Sequence, residues 1–271
     1  MNASKALWEK GDFTRIADTM RQSGAELVDR IGVREGEKVL DLGCGDGTTA
    51  LPAAERGADV LGVDIAANLV AAGNRRAEAA GLANCRFQEG DASDLGGIDD
   101  GTFDRVVSVF GAMFAPRPED VAKEMARVTR PGGTITMGNW IPGDPTLVAQ
   151  ILKTSAAYSP PPPEGFVSPM LWGQEEHVRD RFAAAGIDDV TCERDSFVFR
   201  HDGSPASFVA HFRDYYGPTM NAFAAAREAG REQELERDLV ALFEAQNNSG
   251  EPDRTVISAT FLRVTAVKPR G

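Results

Sequence analysis

A glycine-rich turn directly after a short apolar run constrains this chain more than any other feature. The run Lys38–Leu42 leads at once into Gly43-Cys44-Gly45-Asp46-Gly47. This pattern predicts a buried strand, a turn, and then a helix over Thr48–Arg56. Glycines in such a turn let the backbone approach a ligand closely and direct free N–H groups at it. The turn therefore predicts a ligand site at the carboxyl end of the first strand.

Further apolar runs repeat the alternation of strand and helix. Four more strands are predicted, at Asp59–Asp64, Cys85–Gln88, Asp104–Phe110 and Thr134–Trp140. Strands that alternate with helices predict βαβ units and a parallel sheet with helices on both faces. An N-terminal helix is predicted by apolar residues at helical spacing, namely Ile16, Met20, Leu27 and Ile31.

The second half of the chain changes character after Trp140. Four consecutive prolines, at 160–163, begin a long loop with polyproline character. Beyond it the pattern predicts a helix over about His177–Ala185, a strand over Val190–Phe199, a helix over about Pro205–Tyr216 and a final alternating strand. We expect one domain, 1–271, with four parts: an N-terminal helical lid (1–35), a ligand-binding core (36–140), a loop-rich insertion (141–176) and the rest of the sheet (177–271) with a helical cap at about 204–247.

Composition narrows the choice of partners. The 271 residues carry a formal net charge of −12, which disfavours nucleic acid and membrane surfaces because both are anionic. The three cysteines, Cys44, Cys85 and Cys192, form no metal or disulfide pattern. The segment Met1–Phe13 has no apolar stretch of the kind that a signal peptide needs. We expect a cytoplasmic protein without a metal site, and the sequence does not predict its oligomeric state.

Three acidic residues follow three successive predicted strands. Asp41 stands two residues before Gly43, Asp64 ends the second strand, and Asp91 follows the third. Because the carboxyl ends of parallel strands meet at one edge, these side chains are expected to lie together. Asp41 would repel a pyrophosphate and suits a cationic ligand such as a sulfonium. Each acid alone is explained as a loop residue or helix cap, but the set favours a ligand site.

A nicotinamide cofactor is the first alternative. An acid at the position of Asp64 can bind ribose hydroxyls in a dinucleotide site too. The dinucleotide fingerprint is G-x-G-x-x-G, whereas here Thr48 stands where its third glycine belongs. The missing glycine and the presence of Asp41 argue against an NAD-dependent oxidoreductase.

The ordered set of motifs resembles one family. The residues that carry the resemblance are Val39–Gly47, Val63-Asp64, Gly90-Asp91-Ala92, Phe103-Asp104, Ser108–Gly111 and Arg130-Pro131-Gly132-Gly133. The chain resembles the class I S-adenosylmethionine-dependent methyltransferases, in the small-molecule branch similar to the ubiquinone and menaquinone biosynthesis methyltransferases. The resemblance implies a Rossmann-like seven-stranded α/β sheet, mostly parallel with an antiparallel last strand. It also implies S-adenosylmethionine as cofactor.

The resemblance further implies residue roles. Gly43 and Gly45 would lie against the methionine moiety, while Asp64 would bind the ribose and Ile65 would pack on the adenine. The remaining implied contacts are Asp91 and Ala92 at the adenine edge, Phe110 near the sulfonium, and Phe13 on the N-terminal lid. Phe13 has an alternative interpretation, in which it only packs the first helix in place.

The residues after Trp140 are expected to form the site for the methyl acceptor. On the helix predicted at about Pro205–Tyr216, His211 and Tyr215 share a face with Phe208. His211 is therefore the candidate general base, preferred over His177 and His201, with Tyr215 orienting it or the acceptor. The alternative is a half-exposed helix residue without a role.

An aromatic pocket over the sheet edge is also predicted. Its candidate members are Trp140, Phe166, Trp172 and Phe208, for which plain core packing is the alternative. The predicted function is methyl transfer to a small aromatic or apolar molecule. Two alternatives stay open: a protein that binds S-adenosylmethionine without catalysis, and a methyltransferase whose acceptor is a protein.

Overall fold

A computed structural model describes residues 3–162 and 164–270, so Met1 and Pro163, which figure in the predictions above, lie outside the described residues. The strands are β1 (Lys38–Leu42), β2 (Asp59–Asp64), β3 (Cys85–Glu89), β4 (Phe103–Val109), β5 (Thr129–Trp140), β6 (Asp189–His201) and β7 (Thr255–Val267). The α-helices are α1 (Ala3–Trp8), α2 (Phe13–Asp18), α3 (Arg21–Ile31), α4 (Ala50–Glu55), α5 (Ala67–Ala79), α6 (Pro118–Val128), α7 (Leu147–Ala156), α8 (Glu175–Ala184), α9 (Pro205–Tyr215), α10 (Gly217–Glu228) and α11 (Glu232–Gln246). Two 3-10 helices cover Ala112–Phe114 and Pro169–Gly173.

The seven strands form one sheet in the order β3-β2-β1-β4-β5-β7-β6. Strands β1 to β5 pair in parallel, and β7 runs antiparallel to both of its neighbours, β5 and β6. The predicted fold class is therefore confirmed, including the antiparallel last strand. Because β7 is reversed between them, β6 runs in the same direction as β5, and both end at the same edge of the sheet.

Helices cover both faces of the sheet, as the alternation of side chains along β1 shows. Val39 packs into an apolar cluster with residues of α3, α4 and α5, such as Val28 and Ala53. Leu40 and Leu42, which point to the opposite face, join a larger cluster that includes residues of α6. Burial on both faces explains why β1 is an almost continuous apolar run.

The N-terminal helix differs from its prediction, since two helices, α2 and α3, replace one over the segment from Ile16 to Ile31. The chain breaks between α2 and α3 at Thr19, whose hydroxyl donates to the Ile16 carbonyl at 2.7 Å. The Thr19 carbonyl in turn accepts the N–H group of Arg200 at 2.7 Å. A carbonyl that bonds to strand β6 is not available to a continuing helix, so the helix ends there.

Two predicted boundaries also change near the turns. Helix α4 begins at Ala50 rather than Thr48. In the turn before it, the Thr49 hydroxyl donates to Asp41, and the Thr48 hydroxyl accepts from Arg21 at 2.7 Å. Strand β5 begins at Thr129 rather than Thr134, and its register against β4 is irregular between these positions.

Helices α9, α10 and α11 lie between β6 and β7, in the segment predicted as a cap. Helix α11 buries Leu235, Leu239 and Phe243, and it packs on both α9 and α7. The division of the chain into a lid, a core, an insertion and a cap stays a prediction. In the described part of the chain, no helix combines the length and apolarity needed to cross a membrane.

Candidate functional site

A cavity opens at the edge where the parallel strands end, the place where open α/β sheets bind ligands. Its space, including the mouth, is about 1230 Å³. Eight of the predicted cofactor residues line it, namely Phe13, Gly43, Gly45, Asp64, Ile65, Asp91, Ala92 and Phe110.

The glycine turn forms one wall of the cavity. Gly43 has a φ of +68°, a conformation that an L side chain rarely adopts. Its N–H group and that of Cys44 both donate to the Val63 carbonyl, at 2.7 and 3.2 Å, which ties the turn to β2. A Cβ atom on Gly43 would lie 2.6 Å from the Cα of Gly111, so glycine is needed for this close approach.

Asp64 lies at the end of β2 and accepts a hydrogen bond from the glycine turn. Its Oδ2 accepts the Gly45 N–H at 2.8 Å, and its Oδ1 accepts the Ala66 N–H at 2.9 Å. Burial raises the pKa of this carboxyl. A carboxylate offers about four acceptor positions, so the two oxygens retain capacity for hydroxyl donors from the cavity.

One carboxylate oxygen of Asp91 accepts hydrogen bonds within the protein, and the other accepts none. Its Oδ1 accepts from the N–H and the hydroxyl of Ser93, at 2.9 and 2.6 Å. Its Oδ2 lies 3.8 Å from Nη2 of Arg117, beyond hydrogen-bond distance. Because Asp91 lines the cavity, Oδ2 can accept from a ligand.

Asp41 does not reach the cavity, which corrects its predicted contact with a cationic ligand. Its side chain is 2% exposed and shares the face of β1 that Val39 presents to α4. There its carboxyl accepts from the Thr49 hydroxyl. Burial raises its pKa from 3.8 to about 7. Asp41 therefore connects β1 to Thr49, at the start of α4, on the face of the sheet opposite the cavity.

Asp46 is a wall residue that the prediction missed, although it lies inside the glycine turn. It is 1% exposed and forms ion pairs with Arg21 and with Arg76. Among the described wall residues the acids are Asp46, Asp64 and Asp91, and there is no lysine, arginine or histidine. The two arginines compensate the charge of Asp46, whereas Asp64 and Asp91 retain acceptor capacity, which suits a ligand with hydroxyl and amino donors and disfavours a pyrophosphate.

The N-terminal helices cover the mouth of the cavity. Lys5 on α1 donates to the Ile65 carbonyl at 3.1 Å and pairs with Glu89 at 2.8 Å. Phe13 lines the cavity beside Gly45 and packs edge-on against Trp8 at 5.8 Å between ring centroids. Phe13 therefore fits both interpretations of its role, since it lines the cavity and also packs α2 against α1.

The other end of the cavity is aromatic. Phe110, which follows β4, has a φ of +58° and stacks on Trp140 with ring centroids 3.7 Å apart. Phe110 is the only described residue other than glycine that has a positive φ. Such backbone strain concentrates at functional sites. The remaining aromatic wall residues, which the prediction missed, are Trp8, Phe114, Phe197, Phe199, Phe212 and Tyr216.

The predicted base is not on this wall. The His211 Nε2 atom lies 2.9 Å from the Arg15 carbonyl, and its ring contacts Tyr215 and His201. Neither His211 nor Tyr215 lines the cavity. His211 instead links α9 to α2, so the geometry does not support its role as a base with Tyr215 as its partner.

The predicted aromatic pocket is correct in one member. Trp140 lines the cavity, whereas Trp172 and Phe208 are buried in the core away from it. Phe166 is 55% exposed in the loop after the prolines. The described residues also hold no group of three or more His, Cys, Asp or Glu placed to bind a metal ion.

Similarity to known proteins identifies the family of this chain. Residues 39–133 match the family described as "Methyltransferase domain". An uncharacterized protein of Mycobacterium tuberculosis strain H37Rv is 32% identical over 266 residues, which cover 97% of this chain and 93% of the relative. A demethylmenaquinone methyltransferase of Paenarthrobacter aurescens is 30% identical over 177 residues, which cover 61% of this chain and 68% of the relative.

Solved structures share the fold at low sequence identity. The YcgJ protein of Bacillus subtilis has a TM-score of 0.60 at 19% identity, covering 92% of this chain and all of its own. A phosphoethanolamine N-methyltransferase of Haemonchus contortus, solved with S-adenosylhomocysteine, has a TM-score of 0.58 at 19% identity, covering 92% of this chain and 52% of its own. The match to the methyltransferase domain and the relative that is 30% identical over 68% of its length identify the family. The chain belongs to the class I S-adenosylmethionine-dependent methyltransferases.

Proposed function

We propose that this enzyme transfers the methyl group of S-adenosylmethionine to a small aromatic or apolar molecule bound in the same cavity. One observation carries the proposal: the cavity has an acidic end and an aromatic end. The acids follow β1, β2 and β3, while Trp140, Phe197 and Phe199 come from β5 and β6. Phe110 follows β4, which lies between these two groups of strands in the sheet.

The acidic end is the proposed cofactor site. Gly43 and Gly45 would contact the methionine moiety through their backbone, and Asp64 would accept from the ribose hydroxyls. Ile65 would pack on the adenine. The open Oδ2 of Asp91 would accept from the adenine amino group, beside the N–H group of Ala92. The residues present fit such a cofactor because the described wall offers acceptors and no cation.

The chemistry needs little from the protein beyond placement. When bound, the cofactor would supply a methyl group on a positively charged sulfur. A lone pair of the acceptor would form the new bond to that methyl carbon, the sulfur would keep the electrons of the broken bond, and a proton on the acceptor atom would pass to solvent. The enzyme's task is to hold the two reactants in line, which can contribute about 7–11 kcal/mol. Phe110 and Trp140 supply a rigid stacked surface for this task, and α1 and α2 cover the mouth of the cavity.

A labelled methyl group tests the proposed function. The protein would be incubated with S-adenosylmethionine labelled on its methyl group, either with a panel of aromatic and apolar small molecules or with a protein extract. Label in the small-molecule fraction is the expected result. Label in protein alone would assign a protein acceptor, and cofactor binding without any transfer would favour the non-catalytic alternative.

The Asp91→Asn variant tests the adenine contact. Ser93 donates twice to Oδ1, so the amide oxygen of asparagine takes that position and its NH2 group faces the cavity. Loss of a charged acceptor weakens S-adenosylhomocysteine binding by about tenfold to a hundredfold. S-inosylhomocysteine, whose base carries an acceptor oxygen instead of the amino group, is expected to gain affinity relative to wild type.

Calorimetric titration measures both ligands on both proteins. Asp94→Asn serves as the control, because Asp94 is exposed and does not line the cavity. A parallel change in both affinities would mean that Asp91 shapes the loop without reading the base.

A further inference from the structure

The aromatic end of the cavity contains polar atoms that the fold leaves unpaired. Tyr216 is 6% exposed and Trp140 is 4% exposed, and both line the cavity. Within residues 3–162 and 164–270, no hydrogen-bond partner is found for the Tyr216 hydroxyl or for the Trp140 Nε1–H group. Neither atom is fully buried by the surrounding protein. Trp172 differs, because its Nε1 is sealed in the core. Buried tyrosine and tryptophan ordinarily find a hydrogen-bond partner. Both groups therefore offer a free donor to water in the cavity or to a bound ligand that displaces it.

We infer that Tyr216 and Trp140 bind the methyl acceptor, a flat aromatic molecule whose oxygen atoms accept hydrogen bonds from these two groups. This inference rests on the proposed function and names the substrate class of the same site.

The wall between the two donors explains why the molecule is flat and aromatic. From Trp140 the rings continue through Phe199 and Phe212 to Tyr216, with successive centroid separations of 6.3, 6.4 and 5.6 Å. Phe110 closes one side by stacking on Trp140. Offset and edge-on contacts with such rings favour an aromatic ligand over an aliphatic one.

The Tyr216 hydroxyl acts as a donor and not as a base. Burial raises the pKa of Tyr216 well above its usual range, so the hydroxyl keeps its proton. The backbone also holds the residue in place: its N–H donates to the Phe212 carbonyl at 3.0 Å, and its own carbonyl accepts from Met220 at 2.9 Å. A fixed, protonated hydroxyl can therefore orient an acceptor oxygen.

Tyr216 also connects the acceptor end to the N-terminal helices. Its ring lies 6.1 Å from the ring of Trp8 and 6.1 Å from that of Phe13. Aromatic contacts with both helices fix its ring on the side where α1 and α2 close the cavity. The donor is thereby positioned by the same helices that exclude water.

A comparison of two probes tests the inference. The protein, saturated with S-adenosylhomocysteine, would be titrated by equilibrium dialysis with 2,6-dihydroxynaphthalene and with 2,6-dimethylnaphthalene, in which methyl groups replace both hydroxyls. Wild type is expected to prefer 2,6-dihydroxynaphthalene. Tyr216→Phe and Trp140→Phe should each weaken binding of the dihydroxy probe by about tenfold and leave binding of the dimethyl probe nearly unchanged.

Tyr215→Phe is the matched control, because Tyr215 is adjacent in sequence but does not line the cavity. Equal losses for both probes in the Tyr216→Phe variant, or no loss for either, would overturn the inference, as would a wild-type protein that binds neither probe. S-adenosylhomocysteine affinity, measured first, separates these outcomes from failure of the proposed function. It also shows that each variant is folded.

Discussion

Replacing Gly43 with alanine is expected to lower the free energy of unfolding by about 2–5 kcal/mol, because a left-handed backbone and overpacking both oppose the side chain. The new Cβ atom would lie 2.6 Å from the Cα of Gly111 and 2.8 Å from the N of Ala112. These are backbone atoms, which cannot rotate away. S-adenosylhomocysteine binding should fall as well, since relief of the clash must move the turn or the segment that carries Phe110.

Chemical denaturation at equilibrium measures this loss. Gly32→Ala is the matched control, because Gly32 has a φ of +67° but a Cβ atom there would meet nothing within 4 Å. Its loss should be confined to the cost of the left-handed conformation, about 1–2 kcal/mol. If both variants lose the same amount, the close approach of Gly43 to Gly111 contributes nothing.

Replacing Asp41 with asparagine is expected to raise stability above neutral pH relative to wild type. Burial raises the pKa of Asp41 from 3.8 to about 7, so the folded protein holds this proton while the unfolded chain has released it. The stability that the protonated group contributes is fully present below 3.8 and is lost as the pH rises through about 7. Each pH unit between these values costs about 1.4 kcal/mol, or about 4 kcal/mol in all.

Asparagine does not titrate and can still accept from Thr49, so the variant escapes this cost. The free energy of unfolding of both proteins would be measured at about pH 5 and about pH 8.5. The difference, variant minus wild type, should be about 3 kcal/mol larger at the higher pH. Asp99→Asn, at an exposed position, should show no such gain. A constant difference between Asp41→Asn and wild type at the two pH values would contradict a buried, protonated Asp41.

The acidic end of the cavity was predictable because its signals are local in sequence. The run Val39–Gly47 contains the strand, the turn and its glycines together, and Asp64 and Asp91 each follow an apolar strand directly. Asp41 shows the limit of this reasoning. Its position at a strand end was read correctly, but the alternation of side chains along β1 turns it toward α4 and away from the cavity.

The aromatic end of the cavity was not predictable because its residues are distant in sequence and meet only through the topology. Phe197 and Phe199 reach the cavity because β6 runs parallel to β5, a consequence of the reversed β7 between them. Helical spacing favoured Tyr215. The helix ends there, however, and Tyr216 adopts an extended conformation with φ −97° and ψ 108°. Tyr216, not Tyr215, lines the cavity.

Binding of S-adenosylhomocysteine, measured by calorimetry on the wild-type protein, tests the cofactor assignment most directly. NAD serves as the parallel ligand. Asp64→Ala and Asp59→Ala, at opposite ends of β2, serve as the variant and its control. We expect S-adenosylhomocysteine to bind, NAD not to bind, Asp64→Ala to weaken binding by about 1–3 kcal/mol, and Asp59→Ala to leave it unchanged. Binding of NAD with no binding of S-adenosylhomocysteine would contradict the assignment of this cavity.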